Sequence, residues 1–148
     1  MDQHEALKES PGYVPPTSAE ELLRRYAMGE RRFPEADIPD GACFKGVVLA
    51  GAVFEHAWLS DADFRGADLR GVVFRQSNVK VSNFSGADLR GASFPETHVC
   101  AAIFAGALLD DASFEGALCY GAIIHDGDGF PFDAVINPPT VNPDLPAQ

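Results

Sequence analysis

The chain has 148 residues, which suits one domain, and 46% of them are hydrophobic, enough for a core. Lys and Arg number 11 against 22 Asp and Glu, so the net charge of −11 disfavours direct nucleic-acid binding without excluding imitation of a nucleic acid. No apolar run approaches the roughly 18 residues of a membrane helix, the start lacks a secretory pattern, and three scattered cysteines indicate a reducing cytoplasm rather than a disulfide framework.

The first predicted elements are a tail and a helix. Residues 1–16 contain three prolines and are expected to form a flexible tail. Residues 17–29 are predicted to form a capping helix, because Ser18 and Glu21 have the spacing of a capping box and Gly29 is a natural terminator. Its apolar face consists of Leu22, Leu23 and Tyr26.

A strict period of five residues follows the helix. Seventeen positions spaced by five from Phe44 are all apolar, and a small residue (Ala, Val, Ser or Thr) lies two residues before each. Neither a helix, with period 3.6, nor a strand, with period 2, explains this pattern. We therefore predict a coil that turns a corner every five residues and buries the large side chains as a core ladder. The ladder is Phe44, Leu49, Phe54, Leu59, Phe64, Leu69, Phe74, Val79, Phe84, Leu89, Phe94, Val99, Phe104, Leu109, Phe114, Cys119 and Ile124.

A second period of twenty residues sets the number of corners. The hexapeptide at 66–71 recurs unchanged at 86–91, and Gly46, Gly66, Gly86 and Gly106 are spaced by twenty. Twenty residues at five per side predict four sides per coil. The spacing of ten between phenylalanines then places them on two opposite sides.

These motifs resemble the pentapeptide-repeat family, whose unit is a small residue, often a polar one, then Leu or Phe and two variable positions. The resemblance covers residues 31–124, with Gly41 as a one-residue insertion. It implies an all-β solenoid, a right-handed quadrilateral β-helix of about four to five coils, capped here by the short N-terminal α-helix. At ~4.8 Å per strand spacing such a rod is only ~20–24 Å long.

The residue before each large one should point outward, and most are polar. Val48, Val53 and Trp58 are exceptions that we expect the front helix to cover. A second group lies near the end, where we expect either that residues 125–148, a cap segment and Pro-rich tail, cover it or that it forms a homodimer contact. This candidate interface consists of Ile103, Leu108, Leu118, Tyr120 and Ile123.

No constellation of residues predicts catalysis, a metal site or a cofactor. The carboxylate pairs Asp61/Asp63 and Asp110/Asp111 should be solvated, without the raised pKa that general acid catalysis needs. The four histidines share no spacing, and Cys119 is an inward core position. Arg65, Arg70, Arg75 and Lys80 ring one coil, where we expect surface ion pairs.

The favoured function is a non-catalytic protein-interaction or scaffold module with an unidentified partner protein. The family resemblance supplies an alternative, since some members are acidic rods that mimic DNA and bind type II topoisomerase, either inhibiting gyrase or protecting it from quinolones. Residues 42–124, however, carry six basic and nine acidic residues, so the rod itself is only mildly acidic. We expect no direct nucleic-acid or membrane binding.

Overall fold

The computed structural model describes residues 12–118 and consists of one short helix followed by a solenoid. Helix α1 spans Ala19–Ala27. The Ser18 side chain accepts a hydrogen bond from the Glu21 amide at 3.1 Å, as the capping motif predicts. The Glu21 carboxylate accepts from the amide of Thr17 rather than from that of Ser18. Residues 1–11 of the predicted tail and the whole C-terminal segment 125–148 lie outside the described residues.

The solenoid is built from parallel pairings between residues twenty apart. Only two stretches of the described chain are long enough to count as strands, β1 at Val53–Glu55 and β2 at Val73–Arg75, and they pair in parallel with Val53 opposite Val73. The other pairings are single bridges, because each side contributes only a few extended residues before the next corner. Four ladders of outward residues result, one per side of the coil.

Each ladder takes its name from one member. The Val53 ladder is Arg32, Val53, Val73, Ser93 and Ser113; the Trp58 ladder is Asp37, Trp58, Asn78, His98 and Leu118; the Asp63 ladder is Cys43, Asp63, Asn83 and Ile103; the Asp68 ladder is Val48, Asp68, Asp88 and Leu108. The first two ladders begin with a spacing of 21, whereas Cys43 pairs with Asp63 at a spacing of 20. The extra residue therefore lies between Asp37 and Cys43, the interval that contains Gly41.

The core is a ladder of large side chains. All its described members, from Phe44 to Phe114, are at most 6% exposed, and Phe33 and Ile38 extend it upstream. The phenylalanines form two columns, one through Phe54, Phe74 and Phe94 and the other through Phe64, Phe84 and Phe104. Neighbouring rings within a column stack at 4.6–5.6 Å. The core positions Cys119 and Ile124 lie outside the described residues.

Three buried hydroxyls occupy the small-residue register. Ser82 donates to the carbonyl of Leu59 at 2.9 Å and accepts from the amide of Ala62 at 3.0 Å, joining adjacent coils. Ser77 and Thr97 make equivalent bonds on the neighbouring side. These hydroxyls satisfy backbone groups that would otherwise be buried without a partner.

The N-terminal segment closes the first coil. Leu22 of α1 is fully buried in the same core as Phe33. The Tyr26 hydroxyl donates to the carbonyl of Ala50 at 2.7 Å. The carbonyl of Pro16 accepts from the amide of Asp37, the bond that a preceding coil would otherwise make on the Trp58 ladder. The cap is thus both apolar and hydrogen-bonded.

Arg25 fastens the segment before the helix. Its guanidinium bonds the carboxylates of Glu21 and Glu30 and the carbonyl of Val14, and it lies 5.5 Å from the centre of the Tyr13 ring. The Tyr13 hydroxyl donates to the carbonyl of Pro34, and burial raises the pKa of Tyr13 to about 12. The neighbouring Arg25 opposes that rise.

Candidate functional site

The apolar residues near the C-terminal end of the described chain lie on three different sides. Ile103 ends the Asp63 ladder, Leu108 ends the Asp68 ladder and Leu118 ends the Trp58 ladder. Leu108 is 50% exposed, and Ile103 and Leu118 are half-buried. The predicted interface is therefore a band over three of the four sides rather than a flat patch, because each step of five residues moves to the next side and Ser113 occupies the fourth. Tyr120 and Ile123, also predicted there, lie outside the described residues.

The apolar girdle, defined as Ile103, Leu108 and Leu118, contrasts with the preceding level of the same ladders. The residues below these three are Asn83, Asp88 and His98. On these three ladders the outward surface thus changes from polar to apolar in one step, whereas the Val53 ladder keeps a serine at Ser113. An exposed apolar band of this kind favours contact with another protein surface.

Helix α1 does not cover the first group of outward apolar residues, contrary to the sequence-based expectation. Val48 is 54% exposed and Trp58 is 41% exposed, whereas Val53 is half-buried within β1. The physical reason is that α1 caps the end of the coil through Leu22. Val48 and Trp58 instead point sideways from two different ladders. Their exposure is the feature that sequence reasoning missed.

Three aspartates are clamped by the arginine two residues later. Arg65 on Asp63, Arg70 on Asp68 and Arg90 on Asp88 each make two side-chain bonds of 2.7–2.9 Å. These arginine contacts hold the pKa of all three carboxyls below its ordinary value. That direction is opposite to the one a general acid needs, so Asp63 of the Asp61/Asp63 pair is suited to a permanent ion pair.

The four basic residues that ring one coil behave differently from one another. Arg65 and Arg70 are clamped, and Arg70 also lies 3.9 Å from Asp88 in the next coil. Arg75 lies opposite Glu55 across the β1–β2 pair. The Lys80 ammonium lies 5.4 Å from the centre of the Trp58 ring. The predicted ion pairs thus occur at two positions, and a cation–π contact occurs at a third.

Two surface hollows of the described chain are shallow and lie on the Val53 ladder. One, of about 510 Å³, is lined by Val53, Val73, Arg75 and the ion pair between Arg32 and Glu55, whose atoms are 3.0 Å apart. A second, of about 310 Å³, lies between Pro95, Glu96 and Glu115. The second hollow is also lined by Ser93 and Ser113, and the Ser113 hydroxyl accepts a hydrogen bond from the Glu115 amide.

Within residues 12–118 no group of three or more His, Cys, Asp or Glu side chains is arranged to hold a metal ion. Over the same range no helix is long and apolar enough to cross a lipid bilayer. Both described cysteines, Cys43 and Cys100, are free.

Comparison with known proteins gives a family match and several structural neighbours. The profile described as Pentapeptide repeats matches residues 48–80 and 82–122, in 8 copies. A search of curated proteins found no match.

Among solved structures, the fold resembles alr5209, a pentapeptide repeat protein from Nostoc PCC 7120, with 29% identity and a TM-score of 0.53 over 77% of this chain and 91% of the other. Rfr23 from Cyanothece 51142 has 18% identity and a TM-score of 0.53 over 76% of this chain and 80% of the other. QnrB1, a plasmid-mediated fluoroquinolone resistance protein, has 18% identity and a TM-score of 0.51 over 62% of this chain and 59% of the other. The last two likenesses concern the fold alone.

Proposed function

Because the chain belongs to the pentapeptide repeat family, we propose that it is a non-catalytic protein-interaction module that binds its partner through the apolar girdle. The observation that carries this proposal is the 50% exposure of Leu108, which follows the polar residues Asp68 and Asp88 on its ladder. The clamped carboxylates and the shallow hollows support a binding role for the surface rather than a catalytic one.

The partner is an unidentified protein or a second copy of this chain. The girdle lies on three of the four sides, so a partner that wraps more than one side would bury more of it than a flat one would. A homodimer would place one girdle against another in an isologous contact. The two alternatives differ in whether the isolated protein associates with itself.

Finer features of the architecture belong to the same proposal. We infer a right-handed, four-sided β-helix of about four to five coils over residues 31–124, with 17–29 as its cap and 125–148 as a C-terminal cap segment and tail. Four ladders with a spacing of twenty support the four sides. The free, exposed Cys43 supports residence in a reducing compartment, which we infer to be the cytoplasm.

The alternative function, a DNA mimic that binds type II topoisomerase, has less support from the surface. Duplex DNA carries one negative charge per ~1.7 Å, so a mimic needs an uninterrupted acidic stripe. Here Asp63, Asp68 and Asp88 are each neutralised by an arginine. A supercoiling assay with purified gyrase distinguishes the alternatives, because inhibition or quinolone protection at stoichiometric protein would favour the mimic.

The proposed interaction can be tested with two matched variants. Leu108→Asp adds a charge to the girdle, and Val48→Asp adds the same charge at the opposite end of the same ladder, at a residue of similar exposure. Both should remain folded by circular dichroism. We expect affinity capture from the native cell extract to recover a protein with wild type and Val48→Asp but not with Leu108→Asp.

Sedimentation velocity identifies a second copy as the partner if the wild type is a dimer and Leu108→Asp a monomer. Unfolding of Leu108→Asp would instead indicate that the C-terminal segment covers the girdle. Equal binding by both variants would contradict the proposal.

A further inference from the structure

A second surface, remote from the apolar girdle, surrounds the exposed Trp58. We define the Trp58 patch as Asp37, Asp40, Trp58, Asp61 and Lys80. Asp37 pairs with Trp58 across adjacent coils, and the indole Nε1 donates to Asp40 Oδ1 at 2.9 Å. The Gly41 amide donates to the carbonyl of Asp61, so Asp40 and Asp61 lie near the same corner in adjacent coils. One carboxylate thus contacts the exposed indole, and two more belong to residues that neighbour it along the same ladder or corner.

The carboxylates of this patch differ from the other aspartates of the rod. Asp63, Asp68 and Asp88 are each clamped by an arginine. Among the described residues, Asp37, Asp40 and Asp61 make no ion pair, and all three are exposed. With Lys80 as its one cation, the patch keeps an excess of negative charge. That excess is available to an external cation.

The indole is held in a fixed orientation. The bond from Nε1 to Asp40 restrains the ring, and the Lys80 ammonium lies 5.4 Å from the ring centre, within the range of a cation–π contact. A rigid, partly exposed tryptophan loses little conformational entropy on binding, which is why tryptophan dominates many interfaces. The ring and the carboxylates together suit a guanidinium or an ammonium group.

The charge of the patch selects among occupants. A nucleic acid would bring phosphates towards three carboxylates, which is repulsive. A second copy of this chain carries a net charge of −11, so two copies repel each other overall. We propose that the Trp58 patch binds an arginine- or lysine-bearing segment of a partner protein. This proposal rests on the proposed interaction role but uses a surface other than the apolar girdle.

The chain itself supplies the probe for this site, since Trp58 is its only tryptophan. The titrant is a capped pentapeptide, Gly-Arg-Gly-Arg-Gly, and the control peptide replaces arginine with the neutral isostere citrulline. We expect a saturable change in Trp58 fluorescence with the arginine peptide and none with the citrulline peptide. Binding of the arginine peptide should weaken as the salt concentration rises, because the charged contacts are exposed to solvent.

Two double variants separate a local site from overall charge. Asp40→Asn/Asp61→Asn removes two carboxylates of the patch, while the side-chain amide introduced in place of Asp40 still offers an oxygen to the indole. Asp110→Asn/Asp111→Asn removes the same charge beyond the clamped Asp88–Arg90 pair, on another side of the rod. We expect the first to weaken peptide binding on the order of fivefold and the second to leave it nearly unchanged.

The proposal is overturned by no saturable signal, by equal binding of the citrulline peptide, or by equal weakening in both variants. It is also overturned if the fluorescence changes with protein concentration alone, which would identify a second copy as the occupant. Leu108→Asp does not alter the Trp58 patch, so the girdle and this surface can fail independently.

Discussion

The rings of Phe64 and Phe84, twenty residues apart, lie 5.0 Å from centre to centre and within 1° of parallel. Phe74, between them in sequence, belongs to the opposite column and meets both edge to face, at 72° and 74°. Each ring near the middle of the rod therefore has stacked neighbours in its own column and edge contacts across the core. Such aromatic contacts stabilise the fold beyond the burial of apolar area.

Phe74→Ala should cost about 3–5 kcal/mol of unfolding free energy, because it leaves a cavity bordered by both columns. Chemical denaturation measures the change. Phe74→Leu is the matched control and should cost less, since leucine occupies the equivalent core position on the other two sides. A loss below about 1 kcal/mol for Phe74→Ala would mean that the residue is not part of the core.

Ser82→Ala should lower the unfolding free energy by about 1–3 kcal/mol, although alanine is the commonest residue in that register. The reason is that the Ser82 hydroxyl bridges the carbonyl of Leu59 and the amide of Ala62. Ser113→Ala, at an exposed position, should be nearly neutral. Equal effects of the two substitutions in urea titrations would contradict a bridging role.

Val81→Gly should raise the stability of the protein. Val81 has φ of +62°, a left-handed conformation that costs a β-branched residue about 1–2 kcal/mol and glycine none. The gain is expected to be smaller than that cost, because glycine loses more entropy on folding.

The matched reverse substitution is Gly86→Val, at φ of +68°, where the space that an added Cβ would occupy is open. It should destabilise the protein through backbone conformation alone. Thermal unfolding of the pair should give shifts of opposite sign, and shifts of the same sign would show that this corner is not under strain.

Raising the pH from 10 towards 12 should weaken the docking of the N-terminal segment. The pKa of Tyr13 is about 12 in the folded protein against 10 when exposed, so in this window the unfolded chain loses a proton that the folded chain retains. The stability that neutral Tyr13 contributes below pH 10 is therefore lost progressively as the pH rises towards its folded pKa. Tyr13→Phe should lack this loss in melting experiments at a series of pH values.

Arg70→Gln/Arg90→Gln should lower the melting temperature slightly at neutral pH and low salt. The clamps hold the pKa of Asp68 and Asp88 below 3.8, so their contribution is present above that value and disappears as the pH falls through the lowered pKa. Wild type and variant should converge once the pH is below the lowered pKa of both aspartates, and also in high salt. A constant difference at every pH would show that the arginines act through packing.

The periods of five and twenty were sufficient to predict the core and the register, because every core position in the described chain repeats one steric requirement. The insertion beside Gly41 was also readable, since it shifts the period by one residue. The Asp-x-Arg clamps were anticipated only as surface ion pairs. Their geometry could not be predicted, because it depends on how the arginine side chain bends back towards the aspartate two residues earlier on the same side of the coil.

The exposure of Val48 and Trp58 could not be predicted in the same way. An outward apolar residue near a predicted cap is expected to be covered by that cap. The five-residue repeat, however, does not indicate the direction from which α1 approaches the coil. The girdle illustrates the same limit, because apolar residues that are close in sequence, at spacings of five and ten, lie on three different sides of the coil. The left-handed backbone conformation at corner residues other than glycine, such as Val81, could not be predicted either, because these residue types do not usually adopt a positive φ.

The bond from the Asp37 amide to the Pro16 carbonyl bears on how the protein avoids polymerising. A solenoid end is a row of open hydrogen-bonding groups onto which another molecule could add in register, as in an amyloid fibre. The chain occupies that position on the Trp58 ladder with the carbonyl of its own Pro16, so the Asp37 amide is not open to another molecule. On this ladder a second molecule would have to displace the chain's own segment, which disfavours head-to-tail growth from the N-terminal end.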